Sequence, residues 1–278
     1  MGIVNVTPDS FSHDGCLAST ATQKQSRIST KNFTAKAISQ ALKMVAAGAD
    51  ILDIGGESTR PGARAVSAKE ETTRVIPIMR ALVKKIKIPI SVDTYKASVA
   101  QAALDTGASI VNNIKGVPAE KRLLKIVKNY DAAIVLMHMR GNPRTMQKNI
   151  HYHNLISEII TSLRNSIEIC LEIGIKSDKI IIDPGIGFGK TAQQNLEILN
   201  RLNEFAVLKC PILVGTSRKS FIGKVLDNEV HERLLGTIAS VCSSIHTGAH
   251  IVRVHDVKEI KEAARITDAI LNQKILTL

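Results

Sequence analysis

The 278-residue sequence contains no tryptophan, and only 3% of its residues are aromatic. Its hydrophobic content of 44% therefore predicts a core built from Ile, Leu, Val and Ala side chains. The apolar runs are all shorter than the ~20 residues that span a bilayer. The first residues also lack the basic segment and apolar stretch of a signal peptide. We therefore expect a soluble cytoplasmic protein that makes no use of a membrane.

Cysteine and acidic residues are scarce as well. The four cysteines, Cys16, Cys170, Cys210 and Cys242, are far apart and form no C-x-x-C pair, which argues against a zinc site and against a disulfide framework. Only 25 acidic residues oppose 37 lysines and arginines, so that the formal net charge is +12. No aromatic residues interleave with the basic ones as a stacking surface for nucleic acid requires. The excess positive charge instead suits anionic small-molecule substrates.

Apolar segments typical of buried strands alternate with helical periodicity along the whole chain. There are eight of them, at residues 2–6, 50–54, 88–92, 109–113, 132–137, 179–183, 211–215 and 250–254. Eight strands with following helices in ~250 residues match a closed barrel, and the Gly-rich turn that follows the first strand of a dinucleotide-binding open sheet is missing. We predict an α/β fold, a single (β/α)8 TIM barrel domain over residues 1–278, with its active site at the C-terminal face of the strands.

One phrase occurs three times: a Gly-Ala pair followed by a short apolar strand that stops on a polar residue. It occupies residues 48–53, 107–112 and 248–253, and it ends on Asp53, Asn112 and Arg253. Each glycine is predicted to close a helix in a left-handed conformation. Because the strands of a barrel are parallel, their polar ends should meet at one mouth. Asp53 also lies at the root of a long loop, and two roles stay open for it at this point: part of the site, or orientation of that loop alone.

Further polar groups follow the other strands: Asn5, Asp93, His138, Asp183 and the Gly-Thr-Ser segment at 215–217. Each alone is as compatible with a structural hydrogen bond as with function, but their convergence indicates a site. Asp93, Asn112 and Asp183 offer donors and acceptors for a flat heterocycle, and a carboxylate can hold a cyclic guanidine by two parallel hydrogen bonds. A metal cluster would need more carboxylate or histidine ligands. His138, between two methionines, is interpreted as a core histidine.

Cationic groups cluster after the last two strands, where barrels commonly bind phosphate. They belong to Ser-Arg-Lys-Ser at 217–220 and Arg-Val-His-Asp at 253–256, and Asp256 is predicted to cap the last helix. A glycine-rich segment at residues 185–190, Gly-Ile-Gly-Phe-Gly-Lys, is similar to a phosphate loop but lacks the Walker spacing. We interpret it as a tight turn that points Phe188 into the mouth. Residues 7–31 and 55–68 are predicted to be long active-site loops.

Ordered motifs along nearly the whole chain resemble those of the dihydropteroate synthase family, a pterin-binding TIM barrel family. They lie at residues 5–12, 55–62, 91–94, 137–143, 183–185, 217–220 and 253–256. The resemblance implies a transferase of folate biosynthesis from a family inhibited by sulfonamides. Such enzymes condense 4-aminobenzoate with 6-hydroxymethyl-7,8-dihydropterin pyrophosphate, with Mg²⁺ as the cofactor, and release 7,8-dihydropteroate and pyrophosphate.

The resemblance also implies a role for each site residue. The pterin would be held by Asp93, Asn112, Asp183, Lys219 and Met137, and 4-aminobenzoate by Thr59, Arg60, Pro61, Phe188 and Ser217. The pyrophosphate would be held by Asn5, Arg253 and His255, with Asn5 also on the metal, and catalysis would fall to Asp93, Lys219 and Arg253. The implied partners are these small molecules, a second copy of the chain joined through its last helices, and a hydroxymethyldihydropterin pyrophosphokinase fused to or preceding this domain.

Two positions depart from the family pattern: Asn113 stands where an Asp is common, and Ile186 where a Phe is common. The first loop, with its Ser, Thr and Gln residues, is also unusual.

Two other functions remain open at this point. One is a non-catalytic pterin-binding paralogue. The other is a barrel similar to methyltetrahydrofolate–corrinoid methyltransferases, which would hold the pterin alike but would have no reason to keep Asn5, Arg253 and His255.

Overall fold

The computed structural model describes residues 1–7, 23–58, 65–116, 121–141, 146–147 and 150–274, with side chains from residue 33 onward in the first helix. All eight predicted strands are present. They are β1 (Gly2–Asn5), β2 (Leu52–Gly55), β3 (Ile90–Asp93), β4 (Ile110–Asn113), β5 (Ala133–Met137), β6 (Ile180–Asp183), β7 (Leu213–Val214) and β8 (Ile251–Val252). Strands β1 to β6 form one parallel sheet in chain order, and β7 pairs with β8 in parallel.

Two short contacts close these sheets into a ring. Gly2 of β1 pairs with Val254 just after β8, and Ile182 of β6 pairs with Ile212 just before β7, both in parallel. Backbone hydrogen bonds support each junction: the Ile3 amide donates to the Val254 carbonyl at 2.9 Å, and the Ile182 amide to the Pro211 carbonyl at 2.9 Å. The predicted barrel is therefore confirmed.

Nine α-helices surround the strands within the described part of the chain. They are α1 (Gln23–Ala46), α2 (Ala68–Val83), α3 (Ala97–Thr106), α4 (Lys121–Asn129), α5 (Leu155–Ile173), α6 (Ala192–Asn200), α7 (Ser220–Leu226), α8 (Leu234–His246) and α9 (Val257–Asn272). Both α7 and α8 lie between β7 and β8, where one helix was predicted. None of the described helices has the length and apolar character needed to cross a membrane.

The two predicted loops differ in how well their limits agree with the structure. Helix α1 begins at Gln23, so residues 23–31 of the predicted first loop are helical. The second loop runs from the end of β2 to the start of α2 at Ala68, close to the predicted 55–68. Residues 8–22 and 59–64, the central parts of these loops, lie outside the described residues.

The glycines of the repeated phrase have the predicted backbone conformation. Gly48, Gly107 and Gly248 follow α1, α3 and α8 with φ of +90°, +112° and +109°. Side chains other than glycine rarely adopt this left-handed region. Each glycine therefore ends its helix and turns the chain into the next strand, which places the three polar strand ends at the same side of the barrel.

The core has an outer layer between strands and helices and a smaller inner layer. Val111 and Ile182 belong to the large outer cluster, whereas Ile110 and Ile181 belong to a separate cluster with Met1, Val135 and Leu213. Successive strand residues point to opposite faces. Side chains two residues beyond the inner cluster therefore lie inside the barrel and one layer nearer its C-terminal mouth. Asn112 and Asp183 occupy these positions.

Candidate active site

The three polar ends of the repeated phrase contact one another at the mouth. Arg253 donates from Nε to Oδ2 of Asp53 at 2.6 Å, and Asn112 donates from Nδ2 to the same oxygen at 3.1 Å. Arg253 also donates from Nη2 to Oδ2 of Asp93 at 2.7 Å. Asp53 is fully buried. Of the two roles left open for Asp53, these contacts favour the first, because it holds Arg253 and Asn112 in place. Its position in the repeat was the sequence signal for this role.

Burial shifts the acid–base properties of the charged groups in this cluster. The pKa of Asp93 is raised to about 7 by burial, although the Arg253 guanidinium opposes the rise. Burial lowers the pKa of Lys219 to about 8, and Asp183 opposes that change. The pKa of Asp183 is raised by burial and lowered again by the Gly185 amide, which donates to its Oδ1 at 2.7 Å. Strong perturbation of several groups in one place is typical of functional sites.

Lys219 lies against an apolar wall of the mouth. Its Nζ is 4.2 Å from the centre of the Phe188 ring, a distance typical of a cation–π contact. Phe188 packs in a cluster with Ile114, Met137 and Met146. The structure thus brings the predicted site residues Met137, Phe188 and Lys219 together. The wall gives a flat ring an apolar surface beside the polar groups.

Ser217, His255 and Asn5 form a second polar group beside Arg253. The His255 amide donates to Ser217 Oγ at 3.2 Å, and Ser217 Oγ lies 2.9 Å from His255 Nδ1. On the other edge of the ring, His255 Nε2 lies 3.5 Å from the Asn5 side-chain amide nitrogen. Burial, reinforced by Arg253, lowers the pKa of His255 to about 3. At neutral pH this histidine offers a hydrogen bond rather than a positive charge.

Asp256 does not cap the last helix as predicted. It precedes α9, but its side chain makes no capping hydrogen bond. Instead, Arg218 donates from Nε to Asp256 Oδ2 at 3.0 Å. This ion pair ties the loop after β7 to the loop after β8. Ser217 directly precedes Arg218 and His255 directly precedes Asp256. The ion pair therefore keeps Ser217 and His255 in contact.

The start of the second long loop is anchored by a charged network. Glu57 forms an ion pair with Lys96 and accepts a hydrogen bond from Tyr95 Oη at 3.2 Å. Lys96 also pairs with Glu71, which is almost completely buried. The chain therefore leaves β2 in a fixed direction. The residues predicted to follow in the 4-aminobenzoate pocket lie outside the described residues, and their placement stays a prediction: Thr59, Arg60 and Pro61.

The two departures from the family pattern serve local structure. Asn113 is fully buried, donates from Nδ2 to the Gly116 carbonyl at 3.0 Å and accepts from the Lys115 amide at 3.1 Å. An amide can make both contacts at once, whereas an ionised carboxylate only accepts. Ile186 packs in the main core. Neither substitution removes a polar group from the mouth.

The described residues include no group of three or more His, Cys, Asp or Glu side chains arranged to bind a metal. Those described side chains therefore form no cage for a resident metal ion. The mouth does fit Mg²⁺ that arrives with a phosphorylated ligand, because Mg²⁺ keeps several waters and takes one or two protein oxygens together with substrate phosphates. The Asn5 side-chain oxygen is suited to be such a ligand, because the amide nitrogen of the same side chain faces His255 and no hydrogen bond to the oxygen is seen among the described residues.

Comparison with known proteins agrees with this geometry. A family model described as pterin binding enzyme matches residues 1–255. The dihydropteroate synthase of Synechocystis sp. is 47% identical over 271 residues, which cover 97% of this chain and 89% of that protein.

Two solved structures match closely as well. Clostridium difficile dihydropteroate synthase, solved with pteroic acid, is 46% identical with a TM-score of 0.85, covering 97% of this chain and 95% of that one. Xanthomonas albilineans dihydropteroate synthase with 4-aminobenzoic acid is 36% identical with a TM-score of 0.86, covering 97% and 92%. The chain therefore belongs to the dihydropteroate synthase family of pterin-binding enzymes.

Proposed function

We propose that this enzyme condenses 4-aminobenzoate with 6-hydroxymethyl-7,8-dihydropterin pyrophosphate to give 7,8-dihydropteroate and pyrophosphate. The observation that carries the proposal is the Arg253 guanidinium, which is shared between Asp53 and Asp93 and close enough to His255 for its charge to lower the pKa of that histidine. It puts pterin-holding carboxylates and anion-binding groups within one mouth. The solved relatives that contain 4-aminobenzoic acid or pteroic acid support the same pair of substrates.

The pterin binds between the inner polar layer and the apolar wall. Asp93, Asn112 and Asp183 face its ring nitrogens and carbonyl, since buried carboxylates pair well with a cyclic guanidine. Lys219 and Met137 lie on the same side of the mouth as Asp183, whose strand is paired with that of Met137. In this proposal the pterin methylene is directed toward Arg253.

The pyrophosphate binds on the opposite side, at Asn5, Arg253 and His255. None of the described residues accepts a hydrogen bond from Arg253 Nη1, so this nitrogen is available to a phosphate oxygen. His255 adds a neutral imidazole ring. Asn5 would hold Mg²⁺, which, when bound, neutralises charge that develops on the leaving group.

The reaction needs no enzymatic nucleophile. The bond between the pterin methylene carbon and the pyrophosphate oxygen breaks, and its electron pair leaves with pyrophosphate. Positive charge develops on the methylene and is stabilised by the Asp93 carboxylate. The arylamine nitrogen of 4-aminobenzoate, held near Phe188 and Ser217, then forms the new C–N bond and releases one proton to solvent.

The first experiment measures pyrophosphate release with both substrates and Mg²⁺. We expect release that requires 4-aminobenzoate, the pterin substrate and Mg²⁺ together, and that stops when EDTA removes the metal. Re-addition of Mg²⁺ should restore it, which controls for damage by the chelator. Pterin binding without release would instead indicate the non-catalytic paralogue. Methyl transfer from methyltetrahydrofolate to a corrinoid would indicate the methyltransferase.

A homodimer is part of the same proposal. Helices α8 and α9 pack against each other and expose large apolar side chains. Leu235 is 76% exposed, and Ile266 and Ile270, one helical turn apart, are 64% and 70% exposed. The inner face of α9 is already occupied, because Val257 and Ile260 are buried on the barrel. The exposed side chains are therefore free to pack on a second copy.

Ile270→Glu is expected to convert the dimer into a monomer, because it places a charge in the apolar contact. Sedimentation velocity at several protein concentrations measures the change. The matched control is Val207→Glu, which replaces another side chain, 58% exposed, that belongs to neither α8 nor α9. We expect that variant to remain dimeric. A monomeric wild-type protein, or a dimeric Ile270→Glu variant, would contradict this interface.

A further inference from the structure

The Gly-Ile-Gly-Phe-Gly-Lys segment ends on a lysine that the proposed reaction does not use. Lys190 is only 2% exposed and points inward. Its Nζ donates to the carbonyls of Gly185 and Phe188, both at 3.0 Å, and lies 3.0 Å from His138 Nδ1. The His138 carbonyl is a fourth acceptor at 3.4 Å. Burial lowers the pKa of Lys190 to about 7. Even in its charged form its three N–H groups face four acceptors, so the side chain has nothing left to offer a phosphate.

The turn needs this lysine because its backbone is folded tightly. Gly185, Gly187 and Gly189 all have left-handed φ values, of +74°, +83° and +65°. The carbonyls of Gly185 and Phe188 point into the buried centre of the turn, where a carbonyl without a donor is costly. Lys190 supplies these donors. The turn is therefore organised around one buried nitrogen atom.

Lys190 also joins this turn to the end of β5. Burial and the charge of Lys190 lower the pKa of His138 to about 3, so the imidazole is neutral and its Nδ1 accepts from the ammonium group. The two backbones are in direct contact, since a Cβ added to Gly185 would lie 1.9 Å from the His138 carbonyl oxygen. His138 directly follows Met137, which lines the apolar wall. Lys190 thus sets the spacing between two strand ends of the mouth.

The outer side of the turn supports two residues of the proposed site. Phe188 belongs to the turn, and its ring lies under the Lys219 ammonium group. A Cβ added to Gly187 would lie 3.1 Å from Lys219 Cδ, so the lysine stem rests on the turn. Displacement of the turn must therefore displace Phe188 and remove the surface that positions Lys219.

We propose that Lys190 is a positioning residue that fixes Phe188 and Lys219 by holding the 185–190 turn against His138 at the end of β5. This inference rests on the proposed function, because its test measures the kinetics of the proposed condensation reaction. The pyrophosphate group at Asn5, Arg253 and His255 makes no contact with this turn. Lys190 should therefore act on the pterin and 4-aminobenzoate sides of the mouth and leave pyrophosphate affinity unchanged.

The test compares the Lys190→Met variant with the wild-type enzyme. The condensation activity of the wild-type enzyme tests the proposed function by itself, so the two proposals can fail separately. We expect kcat/KM to fall about 10- to 100-fold in the variant. The KM values for 4-aminobenzoate and for the pterin substrate should rise, while the dissociation constant of inorganic pyrophosphate, measured by calorimetry, stays at the wild-type value. Gly187→Ala, which crowds Lys219 and leaves Lys190 intact, should give the same kinetic pattern.

Ile198→Ala is the matched control for lost stability. Ile198 is fully buried on α6, the helix that follows the turn, and it belongs to the main core rather than to the mouth. We expect it to lower the unfolding temperature while the folded fraction keeps wild-type KM values. If Lys190→Met gives no folded protein, Lys190→Gln, which keeps two N–H donors, is measured in its place. Wild-type KM values in the folded Lys190 variant, or an equal loss of pyrophosphate affinity, would overturn the proposal.

Discussion

Replacement of Asp93 by Asn is expected to lower kcat by about 10²- to 10³-fold, the effect of removing one preorganised electrostatic group from an active site. The carboxylate stabilises positive charge that exists on the pterin methylene only while pyrophosphate departs. Asn has the same shape and can still hydrogen bond, so pterin binding should weaken far less than turnover. Steady-state kinetics and equilibrium binding of the pterin substrate separate the two effects.

The pH dependence gives a second signature of Asp93. Its pKa of about 7 in the folded protein means that the carboxylate loses its charge as the pH falls below 7. The wild-type kcat/KM should therefore decline on the acid side of pH 7, and this decline should be absent in Asp93→Asn. Unchanged turnover in the variant would remove Asp93 from its assigned role.

The stability of the Asp93 variant serves as the control for misfolding. A carboxyl group whose pKa rises on folding binds more protons in the folded state between its unfolded pKa, about 4, and its folded pKa, about 7. Its contribution to the free energy of unfolding therefore decreases as the pH rises through this window. Asp93→Asn should lack this decrease and remain folded at pH 8, which thermal unfolding at pH 5 and pH 8 can measure.

Asp53→Ala is expected to reduce kcat/KM about 100-fold although Asp53 lies beneath the residues assigned to the substrates. The change removes the acceptor shared by Arg253 Nε and Asn112 Nδ2. Arg253 would then turn further toward Asp93, and Asn112 would lose its orientation. Both pyrophosphate affinity and pterin affinity should fall, which distinguishes this variant from Lys190→Met.

The same substitution should also destabilise the fold. Removing one partner of a buried ion pair typically costs about 3–5 kcal/mol when the other charge is left without compensation. Arg253 keeps Asp93 as a partner, so we expect a loss at the lower end of this range. The matched control is Asp50→Ala, three residues earlier in the same phrase, where a 73% exposed carboxylate pairs with Lys261. An exposed pair is worth about 0–1 kcal/mol. Chemical denaturation of both variants measures the contrast, and equal losses would mean that Asp53 has no special role.

Much of this barrel was predictable because strand residues alternate in direction and glycine alone readily adopts left-handed backbone. The three Gly-Ala phrases predicted left-handed glycines after helices, and the structure has them. The polar residues lie less regularly than predicted: Asp53 and Asn112 are inside β2 and β4, and Arg253 directly follows β8. Chain order also predicted the eight strands. The second helix between β7 and β8 and the early start of α1 were missed, since no sharp signal in the sequence separates these segments from loops.

The site was predictable as a set of residues but not as a set of contacts. The sequence by itself determined that Asp53, Asn112 and Arg253 end strands on the inner face, because they follow their apolar neighbours at a period of two. Only closure of the barrel brought Arg253 against Asp53, 200 positions away in the chain, and turned Lys190 inward toward His138. These pairings depend on which strands become neighbours and on what burial does to their charges, and both are properties of the folded barrel alone.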